Sequence, residues 1–188
     1  VTPAKHYCLP PLARWDLEEG QLDAAARELA LGRGGHADGP DLEWTGLAAE
    51  LAIREGRLAE SKSLWRRYCE AAGWSRDSLG AAVRFFLALK QPETALEFLN
   101  EARLFPNPPD CLPFLEGTVQ EQLSRRDAAI AAYELYRRRY PDDRQALDRL
   151  VGLYSSAGDP LRAEEAIRRI MRIYPGEPLL YLSLGRAL

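Results

Sequence analysis

The chain has almost no lysine: Lys5, Lys62 and Lys90 are three of its 25 basic residues, and the other 22 are arginines. Both residue types form helices well and either would solubilise a surface, so the bias reads as GC-rich coding. Histidine is scarcer still. His6 and His36 are the only two, and His6-Tyr7-Cys8 supplies too few ligands for the three or four that zinc needs, so no metal site is expected. Cys8, Cys69 and Cys111 are odd in number, far apart and without a C-x-x-C pair. That argues against a complete disulfide framework and leaves one bridge open in an oxidising compartment. The plainer reading is three small buried hydrophobes.

Long apolar runs are missing too. The most apolar stretch, Leu79 to Leu89, is too short to span a bilayer and contains Arg84, so it reads as buried helix. No signal-like apolar segment follows Val1, and the pattern at Leu188 stops inside a helix, as expected for a piece of a longer protein. The compartment, periplasm or cytoplasm, stays open. A net charge of −3 creates no global field for nucleic acid or an anionic membrane, and neither nucleic-acid binding nor membrane insertion of this chain is expected.

Catalytic signatures are absent as well: the chain contains neither H-E-x-x-H nor G-x-S-x-G. Gly32-Arg33-Gly34-Gly35-His36 is glycine-rich but lacks the Gly-Lys-Ser/Thr end that places a cation on a phosphate, so it reads as a connector. The carboxylate pairs Glu18-Glu19, Asp142-Asp143 and Glu164-Glu165 are adjacent in sequence. Neighbouring helical residues point about 100° apart and do not converge on one bond as a glycosidase requires. Asp142-Asp143 is better explained as a helix start. No enzymatic activity and no cofactor are expected.

What is present is a period. Ser61, Ala95, Ala129 and Ala163 recur every 34 residues, each opening an Arg/Glu-rich amphipathic stretch shortly after a turn signal. Gly56, Lys90, Ser124 and Gly158 keep the same step of 34, as do the Tyr-Pro pairs at Pro141 and Pro175. Gly117, Val151 and Gly185 also repeat at 34. A fixed period of this length marks stacked copies of one supersecondary unit. Each copy reads as two helices. Arg144 to Ser156 places Leu147, Leu150, Val151 and Tyr154 on one face, at i, i+3, i+4 and i+7. Gly158-Asp159-Pro160 breaks that helix, Asp159 caps the next and Pro160 takes its first position. The second helix, Leu161 to Ile173, turns Ala163, Ala166, Ile167, Ile170 and Met171 to its partner.

The units run approximately 6–41, 42–75, 76–109, 110–143 and 144–177, with a partial sixth at 178–188, as one helical-repeat fragment covering 1–188. The first is about two residues long, and the surplus fits the irregular segment Leu31 to Pro40. Five units exceed the three or so that such a stack needs. Small residues recur because two helices approach closely only where a side chain is short. Ala129 and Ala163 are therefore expected at helix contacts. The last helix, Pro178 to Leu188, lacks a partner, so Leu179, Leu182 and Leu188 are expected to form an apolar edge that promotes self-association.

Leu150-Val151, Tyr154, Gly158-Asp159, Ala163 and Pro175 resemble the tetratricopeptide repeat, and Tyr181-Leu182-Ser183-Leu184-Gly185 resembles its W-x-x-L-G opening with Tyr for Trp. Gly117, Ala129, Tyr133 and Pro141 match in the unit before. The resemblance covers the whole chain and is strongest from Asp110 on. Thr45, Ala48 and Ser61 depart from it, and Pro113 suggests that a helix begins there instead of at Asp110. The resemblance implies an all-α solenoid, a right-handed superhelix of antiparallel helix pairs whose first helices line an inner groove. Most members hold an extended peptide or a partner helix there. On that register Arg14, Glu18, Glu50, Arg54, Arg84, Phe114, Thr118, Glu121, Gln122, Asp148 and Arg186 fall near the inner face. Arg54 and Arg84 are not needed for packing in this reading.

Members that grip a chaperone's C-terminal carboxylate use Lys and Asn on first helices; here the only asparagines are Asn100 and Asn107, on a second helix and in a loop, which argues against that subfamily. Trp44 and Trp65 read as core, whereas Trp15 and Trp74 could form an exposed pair for a partner or a sugar ring. The run Arg137-Arg138-Arg139 has three readings: a solvated outer face, a contact for an acidic partner, or a nucleic-acid contact. The function implied is a non-catalytic protein-interaction scaffold, in its narrower form part of a bacterial envelope or exopolysaccharide export assembly. The alternatives are an accessory domain of a larger enzyme and direct binding of polysaccharide or RNA.

Overall fold

The computed structural model describes residues 9–32, 41–105 and 107–175. Those residues form ten α-helices and no strand. In order they are α1 (Leu9–Glu18), α2 (Leu22–Gly32), α3 (Leu42–Arg54), α4 (Leu58–Ala71), α5 (Arg76–Ala88), α6 (Pro92–Arg103), α7 (Leu112–Gln122), α8 (Arg126–Arg139), α9 (Arg144–Ala157) and α10 (Pro160–Ile173). The second helices α4, α6, α8 and α10 start 34 residues apart. Of the first helices, α3, α5 and α9 start at residues 42, 76 and 144, and α7 starts at Leu112 with Pro113 in its first turn. Proline is harmless there because the first helical N–H groups have no intrahelical acceptor.

Local chemistry sets the ends. Asp41 accepts from the backbone N–H of Glu43 (2.7 Å) and Trp44 (3.1 Å), and Asp143 accepts from Ala146 N–H at 2.9 Å. Asp159 caps α10 through Arg162 N–H, with Pro160 at the first helical position. Each hairpin turn needs one left-handed residue to reverse the chain. Gly56, Lys90, Ser124 and Gly158 fill that place with φ of 77°, 56°, 56° and 71°. Gly20 has φ 74° and lies 36 residues before Gly56, so the two surplus residues fall between these turns.

The chain forms two compact units, residues 1–85 and 86–188. In the first, Ala13 and Leu17 of α1, Ala25 and Leu29 of α2, and Leu47 and Leu51 of α3 form one buried cluster. In the second, Ala129 and Tyr133 of α8 meet Leu150 and Tyr154 of α9 and Ala163 of α10; Leu147, Ala166 and Ile170 form a further cluster beside them. Ser61, Ala95, Ala129 and Ala163 all have zero exposure. Among the described glycines the tightest position is Gly117, where a Cβ would lie 2.7 Å from the buried ring of Tyr133.

Cys69 and Cys111 are buried, and burial pushes the Cys69 thiol up to about 12, which makes it inert as a nucleophile. Trp65 is buried, and Trp44 is half-buried with its indole N–H donating to the Leu29 carbonyl at 3.2 Å. Trp15 is exposed and Trp74 is half-buried at φ 52°. His6, Cys8, His36, most of the glycine-rich connector and the whole 178–188 segment, with Leu179, Leu182 and Leu188, lie outside the described residues. No described helix is long and apolar enough to cross a membrane.

The repeat geometry sets the sign of each substitution at these contacts and turns. Replacing Ala129 or Ala163 by Lys overpacks the contact and buries an unpaired charge, lowering stability by about 2–4 kcal/mol. The opposite sign is expected at Ser61, whose buried hydroxyl has no hydrogen-bond partner. Ser61→Ala should gain about 1 kcal/mol by removing that desolvated group. Lys90→Gly and Ser124→Gly should each add about 0.5–1 kcal/mol, because the left-handed conformation costs an L-residue more than glycine's extra chain entropy. Urea unfolding of the single variants reads all of these.

Candidate functional site

First helices contribute most of a cleft of about 510 Å³ in the first unit. Arg14, Leu17 and Glu18 come from α1; Leu42, Glu43, Gly46, Leu47 and Glu50 from α3; Ala81, Arg84 and Phe85 from α5. These are helical neighbours: positions 43, 46 and 50 share one face of α3, as 81, 84 and 85 share one face of α5. Gly46 has open space where its Cβ would be, which widens the cleft at mid-wall. Trp65 of α4 reaches the same cleft from behind, its ring 5.1 Å from that of Phe85. The floor is therefore aliphatic and aromatic, and the rim is charged.

The rim charges are of two kinds. Arg14 bridges to Glu43 at 2.9 Å, joining α1 to α3, and Arg54 bridges to Glu50 at 2.6 Å within α3. Glu18 and Arg84 are exposed and make no ion pair or hydrogen bond among the described residues. One anion and one cation are thus left facing solvent over the apolar floor, where incoming charges of opposite sign could pair. Trp65 adds an indole N–H that is buried without an acceptor.

Of the residues assigned to the groove by sequence register, the structure gathers Arg14, Glu18, Glu50 and Arg84 into this one cleft. Arg54 does not line it. Its guanidinium donates to the backbone carbonyl of Leu17 at the end of α1, so the expectation that Arg54 is dispensable for packing is corrected. A helix end leaves its last carbonyls without intrahelical donors; Leu17 O accepts from Gly20 N–H at 3.1 Å in the turn, and Arg54 supplies a second donor.

The second unit treats its assigned residues differently. The Phe114 ring packs 5.5 Å from that of Tyr133. Thr118 Oγ1 lies 3.2 Å from the Tyr133 hydroxyl, and that hydroxyl donates to Glu121. Arg149 reaches Glu121 at 3.7 Å. Burial and the Glu121 bond push the Tyr133 phenol well above its ordinary value, so it stays a neutral donor. Phe114, Thr118 and Glu121 thus support the α7–α8 contact. Gln122 is exposed, Asp148 pairs with Arg144 at 2.8 Å, and Arg186 lies outside the described residues.

Sequence register missed Glu43, Gly46, Phe85 and Trp65. Glu43 and Gly46 were legible as the i−7 and i−4 neighbours of Glu50. Nothing in the sequence shows that Trp65, on a second helix, penetrates to the cleft between first helices.

No family model matches the chain, and no curated protein matches it. Several solved structures do. A thermophilic TPR protein of Thermus thermophilus, TTC0263, is similar with a TM-score of 0.56 at 18% identity, over 97% of this chain and 98% of that one. YrrB, described as a TPR protein with an unusual peptide-binding site, gives 0.54 at 17% identity, over 92% and 88%. MamA gives 0.55 at 19% identity, over 74% and 81%. These likenesses concern the fold: an all-α helical repeat of the solenoid class.

The two arginines of the rim should separate in a stability measurement. Arg54→Glu removes the donor to Leu17 and repels Glu50, and should cost about 1–2 kcal/mol. Arg84→Glu should stay within about 0.5 kcal/mol, since the side chain is exposed and makes no bond to lose among the described residues. Equal melting of both variants would contradict this division.

Proposed function

From the tetratricopeptide-repeat fold that the chain shares with these proteins, we infer that it is a non-catalytic scaffold that holds an extended segment of a protein partner in the α1–α3–α5 cleft. The observation that carries this reading is the free pair, Glu18 and Arg84, standing over Leu17, Leu47, Trp65 and Phe85 in one concavity. A segment with an apolar side chain flanked by one acidic and one basic residue would fill the floor and neutralise both rim charges. Mixed signs confer specificity more than affinity, because a like-charged partner is repelled at one position or the other. The peptide-binding site named for YrrB is a precedent on the same fold.

The lining residues include no nucleophile with a neighbouring base, and among the described residues no group of three His, Cys, Asp or Glu could hold a metal ion. The proposed role of the cleft is to bind. As an accessory domain of a larger enzyme the chain would use the same cleft. The narrower proposal, a place in a bacterial envelope or exopolysaccharide export assembly, is supported by the arginine-dominated composition.

The test uses a partner recovered by pull-down on the immobilised chain and titrated calorimetrically at two salt concentrations. Reversing Arg84 to Glu and Glu18 to Lys should each weaken binding about tenfold with unchanged helicity. The loss should shrink at high salt, where exposed charges are screened beyond about 3 Å at 1 M. Reversal of Arg67, an exposed residue of α4, should change affinity by less than about 1 kcal/mol. If Arg67 matters and the cleft pair does not, the partner docks elsewhere.

A further inference from the structure

The outer face of α8 breaks a rule that α4, α6 and α10 keep. Ala128, Ala131 and Leu135 are exposed, Leu135 by 51%. They form a stripe separate from the buried face of Ala129, Ala132, Tyr133 and Tyr136. Stepping by 34, the same register holds Glu60, Ser63 and Arg67 on α4, Thr94, Glu97 and Glu101 on α6, and Arg162, Glu165 and Arg169 on α10. A solvated helix face is normally polar; these positions are polar on α4, α6 and α10, and all of them but the buried Thr94 reach solvent. The apolar stripe on α8 is therefore not a consequence of the repeat. It belongs to this unit alone among the four.

The stripe is one wall of a cleft of about 870 Å³, the size of a ligand pocket, whose opposite wall is Pro109, Leu112 and Pro113. Three arginines stand on its rim against two carboxylates. Arg103 pairs with Glu116 and Arg139 with Asp110, which leaves Arg138 without an ion pair among the described residues. The cleft thus offers an alanine and leucine floor with one unspent cation at its edge.

We propose that this α7–α8 cleft is a second docking surface, for a linear segment of a protein partner that carries a bulky apolar side chain next to a carboxylate. The apolar side chain would cover Leu135 between the alanines and the proline wall, and the carboxylate would meet Arg138. Small residues at 128 and 131 let the incoming backbone approach closely. A nucleic acid fits less well. Asp110 and Glu116 would repel phosphates, and the floor is aliphatic where base stacking needs aromatic faces. The proposal uses none of the residues of the α1–α3–α5 cleft, so the two readings stand or fall separately.

Panning a displayed library of random linear peptides on the immobilised full chain, with enriched peptides measured by fluorescence anisotropy, tests it. Peptides pairing a large apolar residue with Asp or Glu should be enriched. Their affinity should fall about tenfold in Leu135→Glu and in Arg138→Glu. Ala131→Arg, which fills the cleft without touching the buried face, should do the same, while Arg84→Glu should leave them unaffected. Circular dichroism of each variant confirms the fold, and the three independent substitutions keep the test decisive if one of them unfolds. No enrichment, enriched peptides without the pattern, or binding indifferent to residues 131, 135 and 138 overturns the proposal. So does binding of a poly(U) RNA probe that depends on Arg138 and outcompetes the peptides.

Discussion

Helix pairs in this chain stand as close as their smallest side chains allow, and most of what distinguishes the molecule depends on that approach. Ser61, Ala95, Ala129 and Ala163 are completely buried at the same place in four successive second helices. At Gly117 the gap is closed by the ring of Tyr133, with no room for even a methyl group. Such contacts give dense packing, and dense packing is where a single methylene is felt. The approach also carries polar groups inside. Tyr133 brings its hydroxyl to Thr118 and Glu121, and Tyr154 brings its own to Glu134. Burial pushes the Tyr154 phenol up to about 12, so both tyrosines remain hydrogen-bond donors at neutral pH.

This economy decides which charged side chains are left uncommitted. In the second unit Thr118 and Glu121 are engaged by Tyr133, and Asp148 by Arg144, so positions that a register alone assigns to a groove are occupied internally. In the first unit the corresponding helices present Glu18 and Arg84 uncommitted among the described residues, while Arg54 is tied to the end of α1. A charged side chain already satisfied by a neighbour gains less from a partner, since breaking the internal pair offsets what the partner adds.

The two clefts consequently differ in chemistry although they are cut from the same repeat. One has an aromatic floor and a rim of both signs; the other has an alanine, leucine and proline lining with a surplus of arginine. Repetition fixes the backbone, and departures from it set the lining of each cleft. The departures are visible against the period: proline at the start of α7, and alanine and leucine where α4, α6 and α10 carry polar residues.

Much of the fold was legible in the sequence because the signals are local. The step of 34, the Asp143 and Asp159 caps, Pro160 at a helix start and the turn series 56, 90, 124 and 158 each depend on a few neighbouring residues. Capping and left-handed turns are short-range chemistry, so they read without a structure. The family resemblance, in turn, put Arg14, Glu18, Glu50 and Arg84 on one inner face. What the sequence could not supply was the partner of each side chain. That Arg54 caps the α1 carboxyl end, that Trp65 enters the cleft from a second helix, and that Glu121 is engaged by Tyr133 are contacts between residues 12 to 37 positions apart or between different helices. Only tertiary structure decided those, because whether a charge is spent or free depends on distances that packing sets.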